Sequence, residues 1–355
     1  MGNHRSFFDQ LKADKVKLYL SMRDICWGCQ WLTKPPQSDA DWNEWWEHVF
    51  AEIYWLNVRN DYQFDFFEIF NEPDNSGQGW GGTEAEYLKF AAVTADAINF
   101  LYKKYIPSRK PWILGPAVDY PQVASDSSVP GGKGWINDLL GLKPAAINAI
   151  SFHSYLTLSE LTWGVTYAHG LAANHGNPNM PVWISELGTY DQLGNGAQNG
   201  NVPFVIRFIT SMIQMSQPGA LLTGMNYFIW QDSGDGSGLI DKNGTPRTSY
   251  YGLRFANRAL NHGKSTFAAS TSKTSLTALA TRDTKEVYFI ITNMDPSQTF
   301  KVEASFSALV KFTGNGTLYR YDAKNNDIRS RIAVKGGVVT FTIPPNGAVQ
   351  VVVPF

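Results

Sequence analysis

The stretch FFEIFNEPDN, residues 66–75, is a mostly apolar run that stops abruptly on Asn-Glu-Pro-Asp. A short apolar run bounded by such residues reads as a buried strand. A strand end built for structure alone more often carries Gly, Asn or Asp. Glu72 stands where the run stops, so a carboxylate can face a cavity at a strand tip. Its meaning depends on whether a second carboxylate ends a matching strand. PVWISELGTY, residues 181–190, supplies one: an apolar strand that finishes on Glu186.

Outward from these two stretches the chain alternates. Residues 16–24 read as a strand, and residues 41–59 place apolar side chains at helical spacing, with Ser38 or Asp39 as the N-cap. The strand at 64–70 is followed by a helix at 84–105, a strand at 111–118 and a short helix at 135–142. Then come a strand at 147–155, a helix at 163–176, the strand at 181–190, a helix at 202–217, a strand at 221–232 and a helix at 249–262. Six short apolar strands alternating with helices predict an α/β fold with a parallel sheet. A doubly wound sheet would carry a Gly-rich phosphate loop after an early strand; the sequence has none. A (β/α) TIM-type barrel gathers its reactive residues at the carboxyl ends of its strands. The ends here are Arg23-Asp24, Asn71-Glu72, Asp119, His153-Ser154-Tyr155, Glu186 and Trp230-Gln231-Asp232. Six βα units make the barrel incomplete. Strands 16–24 and 221–230 then flank a gap, which predicts a homo-oligomer, most simply a two-fold dimer.

From residue 264 the sequence becomes Thr-, Val- and Ser-rich, with short alternating runs separated by turn signals. These predict an antiparallel β-sandwich. The expected domains are a barrel at 1–263 and a sandwich at 264–355, the latter serving packing more than sugar binding.

The bulk numbers exclude several classes. A net charge of −1 offers no basic field for nucleic acid. No apolar run reaches the roughly 18 residues of a membrane span. The opening MGNHRSFFDQ lacks a signal-peptide pattern, so localisation stays open and secretion is compatible with it. Cys26 and Cys29 form one C-x-x-C without a second pair or neighbouring histidines, which favours a local disulfide or two free thiols over zinc. DSGDGSG, residues 232–238, fails the calcium-loop pattern. Neither metal nor cofactor is expected. Trp27, Trp31, Trp80 and Trp135 fall in Gly-rich stretches, where aromatic faces either stack on sugar rings or anchor loops.

Two glutamates at the tips of core strands can converge across a barrel mouth. Retaining glycosidases need this: one carboxyl protonates the leaving oxygen and the other attacks the anomeric carbon, about 5–5.5 Å away. Either glutamate alone would read as a salt-bridged strand end. The pair, with Asn71 before the first and His153-x-Tyr155 on the strand between, points to catalysis. Glu68 reads as a buried ion-pair member, not a catalyst.

FEIFNEPD, ISFHSY and WISELG, in that order, resemble the clan A retaining glycoside hydrolases. With GLIDKNGTPRTSYYGLRFANRAL leading into a sandwich, the chain is most similar to family 39, with families 30, 44 and 5 as relatives, over roughly residues 16–355. The resemblance implies Glu72 as acid/base, Glu186 as nucleophile and Asn71 as the residue bonding the sugar 2-hydroxyl. It implies that His153 and Tyr155 hold the nucleophile or line the subsite, and that Trp230 is an aromatic platform. Trp80 and Trp27 join these as candidate sugar contacts from the loop reading above. In the clan's count, residues 64–72 are the fourth strand, so the first two strands, and an arginine of the second, have no counterpart. The implied activity is cleavage of β-glycosidic bonds in oligo- or polysaccharides by double displacement, with a carbohydrate as partner. The alternatives are an exo-acting β-xylosidase or β-galactosidase, and a non-catalytic carbohydrate-binding protein with a degenerate barrel.

Overall fold

A computed structural model describes residues 5–22, 35–75, 80–119, 133–155, 158–188, 202–219, 221–232, 234, 236–261 and 264–354. Arg23, Asp24, Cys26, Trp27, Cys29 and Trp31 lie outside the described residues. The chain forms two compact units. The first holds residues 1–154, 160–187 and 221–226, and the second holds 155–159, 188–220 and 227–355.

The first unit contains α1 (Arg5–Ala13), β1 (Leu18–Met22), α2 (Asp39–Ile53) with a π-helical turn (Tyr54–Arg59), β2 (Phe64–Ile69), α3 (Glu84–Tyr105) and β3 (Trp112–Val118). α4 (Lys133–Gly141), β4 (Ala149–Ser154), α5 (Leu158–Asn174), β5 (Val182–Leu187) and β6 (Leu222–Tyr227) follow. Local sequence sets the helix starts. Ser38 and Asp41 form a capping box on α2, and Thr83 and Glu86 form one on α3. Glu84 and Glu86 in the first turn of α3, with Lys103 and Lys104 in its last, complement the helix dipole. Trp45 of α2 stacks on Phe90 of α3 at 4.6 Å and donates its indole N–H to Thr94 Oγ1 at 2.9 Å. The buried amide of Asn57 brackets Phe64, donating to its carbonyl at 2.6 Å and accepting from its N–H at 2.8 Å. That contact fixes where β2 begins.

The six strands lie in chain order, β1-β2-β3-β4-β5-β6, in one parallel sheet. The sheet curls into an incomplete barrel, as expected. Rings from strands far apart in the order meet inside the curl. Trp183 of β5 lies 5.2 Å from Phe66 of β2 and 6.3 Å from both Tyr19 of β1 and Trp112 of β3. Gly224 of β6 is required there, because a Cβ would sit 2.5 Å from the Trp183 ring. β1 and β6 end the sheet without pairing to each other, and no residue of β6 is buried.

The second unit contains α6 (Val202–Met215), α7 (Thr248–Leu260), β7 (Ser265–Ala268), β8 (Leu276–Arg282), β9 (Glu286–Asn293), β10 (Phe300–Ser305), β11 (Gly314–Asp322), β12 (Asn325–Val334), β13 (Val338–Ile343) and β14 (Gly347–Pro354). A six-stranded antiparallel sheet, β12-β11-β14-β9-β8-β7, faces a two-stranded one, β10-β13. Leu276, Phe289, Ile291, Phe306, Leu318, Phe341, Val349 and Val351 belong to the core between them. The larger sheet is covered on its other side by α6 and α7. Thr210 bonds Thr292 at 2.8 Å, Thr281 bonds the Ala259 carbonyl at 2.6 Å, and Arg254 and Arg258 both reach Asp327. β9 and β14 are therefore buried on both faces.

Candidate active site

β2 stops at Ile69, earlier than its apolar run suggests. Phe70 and Glu72 both take left-handed backbone conformations, φ 67° and 47°. Such residues persist only where the surroundings over-determine them, and they cluster at functional sites. Here the tip is tied on three sides. Phe70 N–H donates to the Met22 carbonyl at 3.2 Å, Glu72 N–H to the Ala117 carbonyl at 2.9 Å, and Tyr87 Oη to the Ile69 carbonyl at 3.0 Å. The Phe70 ring, among Trp80 and Phe90, anchors the turn from below.

The turn delivers Glu72, 6% exposed, toward β4. His153 Nδ1 of β4 lies 2.8 Å from Glu72 Oε1 and 3.5 Å from Glu186 Oε2. A register shift between Phe152 and His153 sets His153 opposite Glu186 on β5. One oxygen from each glutamate and the histidine nitrogen all lie within 4.8 Å of one another. A small cation could span that distance. The 2.8 Å contact is equally that of a hydrogen bond; an Nδ1 that carries its proton toward Glu72 has no lone pair for a metal. The His153 ring is fully buried, while the Glu186 side chain keeps 21% of its surface open. Burial would lower the His153 pKa, but the Glu72 hydrogen bond and the charges of Glu186, Glu68 and Glu72 outweigh it and raise it.

Two further carboxyls crowd the tip. Asp74 Oδ1 accepts the Asp119 N–H at 3.0 Å, and Asn75 Nδ2 donates to Glu72 Oε2 at 3.4 Å and to Asp119 Oδ2 at 3.3 Å. Burial pushes Asp74 up to about 7, with the charges of Asp119 and Glu72 adding to it. Burial, then the Glu72 charge, pushes Asp119 up to about 6. Sequence reasoning marked Asp119 only as a strand end and gave Asn75 and Asp74 no role, although both stand inside the stretch quoted first.

The other expected site residues are scattered. Asn71 is half-buried beside Glu72. Tyr155, 6% exposed, belongs to the second unit, its ring 6.1 Å from Phe228. Trp230, also in the second unit, lies beyond the end of β6 and is 59% exposed. Trp80, expected to offer a face to sugar, is instead buried. Phe70, Tyr87 and Phe90 surround it at 5.1–5.6 Å, and its indole N–H donates to the Thr83 carbonyl. Trp135 likewise sits on α4 against Tyr87, 5.1 Å away. Trp27 lies outside the described residues. Glu68, expected as a buried ion-pair member, is buried; it bridges no lysine or arginine among the described residues, and the cation that acts on it is His153. Asp232, another strand-end candidate, is a structural fastener: its fully buried carboxylate accepts from the Gly234 and Gly238 N–H groups and pairs with Arg247 at 2.9 Å.

The family model described as glycosyl hydrolase catalytic core matches residues 28–251. Among curated proteins none matches the chain in sequence. Similar solved structures include a glucosidase from Croceicoccus marinus, with a TM-score of 0.77 and 12% identity, covering 99% of this chain and 81% of that one. The GH39 enzyme from Xanthomonas axonopodis pv. citri aligns with a TM-score of 0.68 and 15% identity over 97% of this chain and 81% of its own. A GH30 endoxylanase from Clostridium papyrosolvens C71 gives a TM-score of 0.63 and 15% identity over 90% and 72%. At these identities the likeness is one of fold.

Proposed function

Because the chain belongs to the glycosyl hydrolase catalytic core family and is a glycosidase, we propose that it is a retaining one, cleaving β-linked oligo- or polysaccharides with Glu186 as nucleophile and Glu72 as acid/base. The observation that carries this reading is the short separation of the two carboxyls, whose facing oxygens lie within 4.8 Å. Retaining enzymes hold their carboxyls about 5–5.5 Å apart, whereas inverting ones leave about 6.5–9.5 Å for a water. Glu186, the more open of the two, attacks the anomeric carbon. Glu72 gives its proton to the leaving oxygen and then, as carboxylate, takes one from the water that releases the sugar. His153, between them, orients both. Asn71 bonds the 2-hydroxyl; Tyr155 and the open face of Trp230, both in the second unit, are candidate sugar contacts. No step needs a cofactor. The non-catalytic alternative loses its ground with family membership and two intact glutamates; exo action on a β-xyloside or β-galactoside remains the narrower form of the same reading.

Proton NMR of the first-formed product tests it. The anomer released must keep the configuration of the substrate; an inverted first product would rule out double displacement.

The same reading includes a two-fold dimer. Among the described residues β1 and β6 are the two edges of the sheet, and Leu221 beside β6 is 45% exposed. Exposed edges invite cover by a second copy. Light scattering on dilute protein is expected to return twice the 39.6 kDa chain mass. A stable monomer would remove the dimer and leave the catalytic assignment standing.

A further inference from the structure

Inside the curl, next to Glu72, His153 and Glu186, lies a polar cluster that the reaction above does not use. Glu68 of β2 is 4% exposed, and the hydroxyls of Tyr19 on β1, Ser151 on β4 and Ser185 on β5 face its carboxyl. The three hydroxyls favour the ionised form of that carboxyl as donors, but none meets the geometry of a full hydrogen bond. Glu68 Oε1, Tyr19 Oη, Ser151 Oγ and Ser185 Oγ are all buried without a partner, and so is His153 Nε2. Buried polar atoms in native folds are satisfied, by protein or by ordered water. Five such atoms, carried by four strands, are the polar lining that a water-filled chamber needs. Among the charges acting on Glu68, the cation is His153. Other strand-interior positions nearby are apolar rings, such as Phe66 and Trp183, so the polar cluster is a local choice.

On the reading of Glu72 and Glu186 as the reacting pair, we propose that Glu68 is a positioning residue: through water in this chamber its carboxyl holds His153 Nε2–H, which fixes the imidazole with Nδ1–H aimed at Glu72 and Glu186. The argument is one of charge and geometry. An imidazole donating from both nitrogens is an imidazolium. A fully buried imidazolium survives only with anionic or acceptor partners at both ends. Glu72 and Glu186 serve Nδ1. Glu68 is the carboxyl left to serve Nε2, and its charge raises the His153 pKa. The other titratable groups that bear on the two residues are Asp119 on His153, and Tyr19 and Tyr87 on Glu68. Burial in turn raises Glu68, against which the His153 charge and the three hydroxyls act.

The sign follows. Removing the Glu68 charge takes away one of the influences that raise His153, so the imidazolium is lost at lower pH. Glu68→Gln keeps the size and one acceptor oxygen, removes the charge and turns the other oxygen into a donor NH2. In the full chain with 15N-labelled histidine, the His153 titration midpoint is expected to fall by about one pH unit. The alkaline limb of the kcat/KM profile is expected to fall with it, with kcat down about tenfold and KM little changed. Ser151→Ala strips one hydroxyl from the Glu68 carboxylate, favours its neutral form, and moves His153 in the same direction by less; it serves if the first variant does not fold. A midpoint unmoved in the folded variants overturns the proposal whatever the activity. So does a shifted midpoint with an unchanged kcat and pH profile. The NMR titration does not depend on turnover, so a wrong choice of nucleophile would show in Glu186→Gln while the His153 shift remained.

Discussion

Replacing Glu186 by Gln is expected to lower turnover by on the order of 10⁵-fold on every substrate, because an amide cannot form the glycosyl ester. Glu72→Gln is expected to behave differently. It removes the proton that the leaving oxygen needs, so loss is large for alkyl glycosides. Aryl glycosides whose leaving groups need no proton still react in the first step. The glycosyl-enzyme then accumulates, since no base activates water. Azide, which needs no base, enters the space vacated by the carboxylate charge and restores turnover as the glycosyl azide of retained configuration. The two variants are thus separable by leaving group and by azide alone. Full activity of Glu186→Gln on any good substrate would end the assignment.

The second large effect concerns the sandwich unit. The Asp327 side chain is 1% exposed and accepts from Arg254 Nε at 2.9 Å and Arg258 Nη2 at 2.6 Å, at a left-handed position of β12, φ 60°. Arg258 also donates to Gln350 Oε1 on the central strand β14 at 2.8 Å and lies 3.7 Å over the Tyr319 ring. Asp327→Ala leaves two guanidinium groups without their anion, strips a contact between helix α7 and the sheet, and puts a Cβ-only side chain at a position that disfavours it. Breaking a buried pair from one side costs about 3–5 kcal/mol. Arg254, at 48% exposed, can still reach water, so roughly 3 kcal/mol is the expectation. That corresponds to a fall in Tm on the order of 10 °C for a unit of this size. Arg254→Met, which leaves Arg258 in place, should lose well under half as much. Differential scanning calorimetry decides; a Tm within 2 °C of the parent would show that the cluster contributes no net stability.

Much of the fold was legible because its strands are short apolar runs between amphipathic helices. The two glutamate tips were legible because each interrupts such a run with a charge. What stayed hidden depends on contacts or on backbone geometry. Nothing in the letters of Phe70 and Glu72 reveals a left-handed backbone, so β2 was read past its true end at Ile69. Trp80 stands in a Gly-rich segment that reads as open loop, yet three rings close over it. β12, NNDIRSRIAV, carries charged and polar residues at most positions and shows no alternating apolar run, because an edge strand needs little apolar surface and gains from charge that discourages further pairing. β7, with four residues, is too short to show an alternation. Asn75 and Asp119 are 44 positions apart, and only the parallel pairing of β2 with β3 makes them neighbours.

The order of strands in the sandwich has a consequence for how the chain is made. β14 follows every other strand of its sheet in the chain, yet it sits in the middle of that sheet, bonded to β11 on one side and β9 on the other. Until it leaves the ribosome, the flanking strands lack their shared neighbour. Helix α6, whose Ile206, Ile209 and Ile213 are fully buried in the finished protein, waits with its apolar face uncovered while well over a hundred further residues are added. Nascent chains in that state are open to aggregation and to chaperones. The second unit therefore matures late and all at once, as the central strand slots in, rather than growing outward from its first hairpin.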